Sequence, residues 1–305
     1  MVFGTDTLLV HTGPDDRQLI KDTWVLAKET GVEHDYAPGS EVVRVLEQSR
    51  KHSLALVTAS KADNLFWLGR YTERVFTTLS QFFPFYDRVM DTDVDAFRPF
   101  ARALDLPEDF EDFDAFIHSF LYEKKPDSVR SAIVYAFNNA VILRPELGSR
   151  SLQQVELAMS SIVEASEYGG TDADIFKHRD IADNMLAFWG GVENSPVEPT
   201  LKSFIFVGKY LERLDLYTRF GYSVEELKAP LAKLGSYILP LNGLPVPQCF
   251  AEGLRWLVGQ LPQRGYAELA EKLGMLLKDF DGRISTKDLK DLGMLNTMDM
   301  DAARL

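Results

Sequence analysis

The chain has 305 residues, 46% of them hydrophobic, enough for a substantial core and too many for a disordered chain. Its 46 acidic residues outnumber 33 basic ones, and the net charge of −13 argues against nucleic acid or an anionic membrane surface as partner. The single cysteine, Cys249, excludes an internal disulfide, and no apolar run reaches the ~20 residues that a membrane span needs. No basic segment leads into an apolar run at the N-terminus, so no signal peptide is expected and a soluble cytoplasmic protein is the reading.

Residues 1–57 read as a small α/β arm. Thr7–Val10 and Asp22–Ala27 are short β-branched-rich runs separated by the turn residues Gly13, Pro14, Asp15 and Asp16. After Pro38-Gly39, Ser40–Lys51 reads as an amphipathic helix through Val42, Val45 and Leu46. Residues 58–305 read as one helical domain. Its first helix is expected over Ser60–Phe83, with Ser60 and Asp63 as a capping box and Pro84 as a kink or stop. Leu65, Leu68, Thr72, Val75, Leu79 and Phe82 recur at spacings of three and four, the seam of a helix packed on others. Phe66, Trp67 and Tyr71 make its first turns apolar on nearly every side, so this helix is expected at the centre. Shorter helices follow at 94–105 and 110–123, then one from Ser128 to about Arg144, ended by Pro145. Leu152–Ser166 and Asp172–Trp189 are two more. Pro196 and Pro199 lead into a helix that Gly221 stops, and helices at about 248–261 and 264–280 complete the set. No strand-like alternation follows residue 58. The expected fold is therefore all-α, a helical bundle preceded by the arm.

Into the apolar surface of the first helix the sequence places Gly69, Arg70, Glu73 and Arg74, and it does so twice. LFWLGRYTERV at 65–75 returns as FIFVGKYLERL at 204–214: Gly69, Tyr71, Glu73 and Arg74 become Gly208, Tyr210, Glu212 and Arg213 at a constant offset of 139. Arg70 becomes Lys209. The repeat implies an internal duplication with an approximate two-fold axis. Local pairing does not explain the motif, because Arg70 and Arg74 are four apart on one helix and repel. Two readings stay open. In one, Glu73 pairs with Arg213 and Glu212 with Arg74 as a reciprocal buried clasp, with Gly69 and Gly208 permitting close helix approach. In the other, the carboxylates act as acid and base while Arg70 and Lys209 hold an anionic substrate. Asn139, beside Asn138 in an apolar helix, is placed to line a cavity near the clasp. The histidines His11, His34, His52, His118 and His178 are scattered without a Glu-x-x-His pair, so no metal is expected. Cys249 reads as a structural thiol.

NLFWLGRYTER with the later GKYLER resembles the alpha-E family, bacterial all-helical proteins named for their helices and Glu-Arg motif. The resemblance spans roughly residues 58–280. KPDSVRSAIVYAFNNAVILR (125–144) is similar to a third family stretch: Asn139, Ala140 and Arg144 match it, while Phe137 and Asn138 stand where Arg and Glu are usual. Asn139 and Arg144 are accordingly further substrate-binding candidates. IKDTWVLA (20–27) resembles the C-terminal tail of circularly permuted ATP-grasp proteins, which are often fused to or encoded beside alpha-E domains. Residues Asp15–Ile20 replace the glycines of that tail, so no nucleotide site and no cofactor is expected here. The resemblance implies an accessory or second catalytic component of an ATP-grasp-linked system for peptide or amide-bond formation or peptide modification, with a circularly permuted ATP-grasp ligase as partner and a peptide or amino acid as substrate. A non-catalytic interaction scaffold and a free-standing enzyme with a pocket between the repeats are the alternatives.

Overall fold

The computed structural model describes residues 57–167, 172–195, 197–241 and 248–281. The two strand runs and the helix expected in the arm, with His11, His34 and His52, lie outside these residues. Among the described residues there are ten α-helices, three short 3-10 turns and no strand, so the body is all-α. The helices are α1 (Ala59–Asp91), α2 (Arg98–Ala103), α3 (Phe113–Tyr122), α4 (Val129–Ile142), α5 (Arg144–Glu167), α6 (Asp172–Asn194), α7 (Pro199–Arg219), α8 (Val224–Ile238), α9 (Gln248–Gln260) and α10 (Ala267–Asp281).

The bundle is organised on α1 and α7, the two motif helices, which pack on each other more extensively than any other pair. Around them α4 and α6 lie on α1, α8 lies on α7, and α5 packs on both α4 and α6. Every seam residue expected for α1 is buried: Leu65, Leu68, Thr72, Leu79 and Phe82 are 0% exposed and Val75 is 1%. Complete burial of each apolar side chain here contributes about 1.5–3 kcal/mol, so the seam alone accounts for the central place of this helix.

Several boundaries differ from expectation, three of them on helices that frame the centre of the bundle. The N-cap of α1 is Thr58, whose Oγ1 accepts from the Lys61 N–H at 3.2 Å, and not Ser60, which lies inside the first turn. Pro84 does not end α1, which continues to Asp91. The proline is exposed, while the residues on both sides of it are pinned in an aromatic cluster: Phe82 stacks on Tyr86 at 5.3 Å and meets Phe97, Phe100 and Phe120 within 6.0 Å. That burial outweighs the ~3 kcal/mol that an interior proline costs. The helix expected at Leu152 starts earlier, with one turn from Arg144 set off by a break at Gly148 (φ 73°, ψ 163°).

One helix escaped the periodicity reading altogether. α8 opens with a complete capping box: the Glu226 N–H donates to Ser223 Oγ and the Ser223 N–H donates to Glu226 Oε2 at 2.8 Å. The Ser-x-x-Glu signature stood in the sequence. Because the box satisfies two otherwise orphaned donors, Ser223→Ala is expected to cost about 1 kcal/mol and Ser223→Asp to cost far less. Chemical denaturation of the two variants checks this; equal midpoints for wild type and Ser223→Ala would refute it.

Candidate functional site

The site is built where α1 and α7 touch. A Cβ on Gly69 would overlap the carbonyl oxygen of Ile205, and a Cβ on Gly208 would overlap that of Phe66. Phe66 and Ile205 are themselves equivalent in the repeat, so the contact is reciprocal, as a two-fold relation requires. The partners across it keep close to the repeat offset: Glu73 meets Arg213, Arg74 meets Glu212, and Gln81 meets Tyr222. Partners that advance together along the chain in this way mean that the two helices run parallel, with the local two-fold along them.

Backbone contact at the glycines brings the following turn of each helix within ion-pair range. Arg213 grips Glu73 with two donors, Nε to Oε1 at 2.5 Å and a terminal amino group to Oε2 at 3.0 Å. Thr77 adds a hydroxyl donor to the same carboxylate at 2.8 Å. Arg74 donates through Nε to Glu212 Oε1 at 2.6 Å, and Arg70 donates through Nε to Oε2 at 2.6 Å. Glu73 is 0% exposed and Glu212 is 1% exposed. Both expected cross-pairs of the clasp are therefore present.

The halves differ at the one position where the repeat changes residue. Arg70 closes over Glu212, with its guanidinium also above the ring of Trp67. Its equivalent Lys209, buried, makes no hydrogen bond to a described residue and sets its ammonium 4.0 Å from the ring centroid of Trp189. Trp189 Nε1 is buried without an acceptor among the described residues. The electrostatics follow the geometry. Burial pushes the Glu212 carboxyl up, but the guanidiniums of Arg70 and Arg74 outweigh it and hold its pKa down to about 2. Burial likewise raises Glu73, which has only one guanidinium in contact, and there burial prevails: its pKa lies above the ordinary carboxylate value. Burial lowers Lys209 to about 8, with Glu73 opposing.

Six of the eight candidate residues thus converge: Glu73, Arg74, Glu212, Arg213, Arg70 and Lys209. Asn139 and Arg144 do not. The Asn139 amide donates back to the Tyr135 carbonyl of its own helix at 2.7 Å, and Asn138 is exposed, so neither lines a cavity at the clasp. A mid-helix amide finds its nearest acceptor one turn back, which is cheaper than burial. Arg144 is exposed at the start of α5. The Cys249 thiol donates to Asp63 Oδ1 at 2.9 Å, and burial followed by that carboxylate raises its pKa well above the usual thiol value, the setting of an inert thiol. His178 is buried against Tyr122 OH at 2.7 Å. Among the described residues no three His, Cys, Asp or Glu side chains gather as metal ligands would.

Two further features adjoin the motif. Asp215, nearly buried, accepts from Arg219 at 3.2 Å and from Arg264 at 2.7 Å, extending the charged seam one turn beyond the motif. The Asp215–Arg219 spacing, acid first and four apart, was a usable signal; Arg264 had none. A cavity of about 140 Å³ opens beside Arg74 and Glu212 and reaches to α4.

A family model, Alpha-E, described as a predicted alpha-helical domain with a conserved ER motif, matches residues 58–232, a stretch that contains both Glu-Arg pairs. No curated protein and no solved structure matches the chain.

Proposed function

We propose, from the premise that this chain belongs to the Alpha-E family, that it works as a helical accessory component in which the glutamates of the ER motifs are structural. The observation that carries this reading is the sealing of both motif carboxylates: each is buried in the α1–α7 contact with its oxygens already bonded to guanidinium donors. A general acid or base must reach the proton it transfers; Glu73 is fully buried, and Glu212, which borders the cavity beside Arg74, is 1% exposed with both oxygens taken by guanidinium donors. Burial with full pairing is instead what a clasp between two repeats requires.

The partner follows from the resemblance: a circularly permuted ATP-grasp ligase that joins an amino acid or peptide through an amide bond, with ATP handled by the ligase. No helix among the described residues is long and apolar enough to cross a membrane, which is compatible with a cytoplasmic setting beside such a ligase. The test is reconstitution with a purified circularly permuted ATP-grasp ligase. ATP consumption and amide formation are expected to need the ligase, to rise when this chain is added, and to be absent with this chain alone. A Glu73→Gln/Arg213→Met variant that keeps its helical circular dichroism is expected to support the ligase as wild type does. Loss of that support in a folded variant would make the motif catalytic, and no effect of the chain on the ligase would remove the partnership.

A further inference from the structure

The cavity beside Arg74 has walls of two kinds. One wall is apolar, made by Leu104, Leu106 and Phe120. The other carries charge, and most of that charge is committed: Glu212 to Arg70 and Arg74, and Asp215 to Arg219 and Arg264. Arg219 also pairs with Asp105 at 2.6 Å. Two lining groups keep unused valence. Arg74 spends only its Nε on Glu212, and its terminal amino groups donate to no described residue, although its side chain is 35% exposed. Asp127, exposed on the α4 side, has no ion-pair or hydrogen-bond partner among the described residues. The repeat has no second such arginine, because Arg213 gives two donors to Glu73 and is 19% exposed.

A free guanidinium fork, a free carboxylate and an apolar wall around one small cavity match one class of molecule. We infer that the cavity binds a free α-amino acid with an apolar side chain, its carboxylate on the terminal amino groups of Arg74, its ammonium on Asp127, and its side chain against Leu104, Leu106 and Phe120. The guanidinium fork suits a carboxylate because two parallel N–H donors meet two oxygens. The size agrees: a cavity of about 150 Å³ holds a benzene molecule, so about 140 Å³ takes a side chain of four or five carbons' bulk but no cofactor. The charges within the site balance only when the ligand brings one of each sign. A plain anion would meet Asp127, and a plain amine would meet Arg74. A second cavity of about 240 Å³ shares Leu106, Phe120, Asp127 and Ser128 with the first, which leaves room for a further residue beyond the ammonium and makes a dipeptide the second form to test.

This site stands on the cavity and not on the ligase partnership, so its test uses the full chain alone and either reading can fail without the other. Thermal shift and calorimetry are run with the twenty amino acids, with L-leucyl-L-leucine, and with L-leucinamide and N-acetyl-L-leucine as probes lacking one charge. At least one apolar amino acid or the dipeptide is expected to bind, and each probe lacking a charge to bind at least tenfold more weakly. Asp127→Asn, at an exposed position, is expected to weaken the amino acid at least tenfold while leaving N-acetyl-L-leucine unchanged. Ala132→Leu, which fills the inner wall, is expected to abolish binding. Binding that ignores Asp127→Asn would place the ligand elsewhere, and no binding by any member of the panel would overturn the inference, whether or not Ala132→Leu folds.

Discussion

Alanine at Gly69 is expected to lower the unfolding free energy by about 3 kcal/mol or more, and alanine at Gly208 by a similar amount, the upper range for overpacking a core. The added methyl meets backbone on the partner helix, the carbonyl of Ile205 or of Phe66, and a carbonyl in a helix cannot turn aside as a side chain can. The helices must separate, and separation also lengthens every ion pair one turn further on. The sign of the effect is diagnostic. In an uncrowded helix, Gly→Ala stabilises by ~0.5–1 kcal/mol through backbone propensity. Gly190 of α6 is exposed and has open space where its Cβ would be, so Gly190→Ala supplies that control. Because the two tight contacts are one interface, the Gly69→Ala/Gly208→Ala double variant is expected to lose less than the sum of the singles. Gly69→Ala melting with or above wild type would show that the close approach is not what holds the pair.

Glu212→Gln is expected to cost about 3–5 kcal/mol at neutral pH, and Glu73→Gln less. Removing the Glu212 carboxylate leaves two arginines facing a neutral amide, and Arg70, 11% exposed, cannot shed its charge. Removing the Glu73 carboxylate leaves one arginine and Lys209, which can release its proton because its pKa is already down at about 8. Adding Arg70→Met and Arg74→Met to Glu212→Gln is expected to recover part of the loss. The pH dependence carries the same signature. The folded pKa of Glu212 lies at about 2, below its reference value of 4.5. A depressed carboxylate contributes stability that is fully present above the unfolded pKa and is lost as pH falls through the folded one. Wild type is therefore expected to lose about 3 kcal/mol between pH ~4.5 and ~2 that Glu212→Gln does not lose, so the gap between them closes in acid. Urea titrations at pH 7, 4 and 2.5 measure it. A gap independent of pH, or equal costs for the two glutamates, would contradict the asymmetry of the clasp.

The repeat was legible without coordinates because it is a matter of identity and spacing: two helices carrying Gly, Tyr, Glu and Arg at one offset predict a self-complementary contact, and the cross-pairs Glu73–Arg213 and Glu212–Arg74 follow from it. The all-α body was legible from periodicity, since a buried seam repeats every three or four residues whatever it packs against. Pro84 reads as a stop when proline is judged against its own helix alone, whereas the aromatic residues that hold α1 together past it lie 13–36 positions beyond it. Arg144 is a site candidate by its likeness to a family stretch, and Asn139 by that likeness and by its polarity in an apolar helix; neither signal carries information on which way a side chain turns. The inequality of the two halves was likewise out of reach. Arg70 and Lys209 occupy equivalent positions, yet one reaches the carboxylate of the opposite helix and the other turns to Trp189 of α6. The cavity beside Arg74 is assembled from α1, α3, α4, α7 and the segment after α2, so it exists only once those elements are packed. Spacing along a chain encodes which face a residue takes on its own helix. Which neighbour that face meets depends on the register and direction of a second helix, and those are decided by how closely the two backbones can approach.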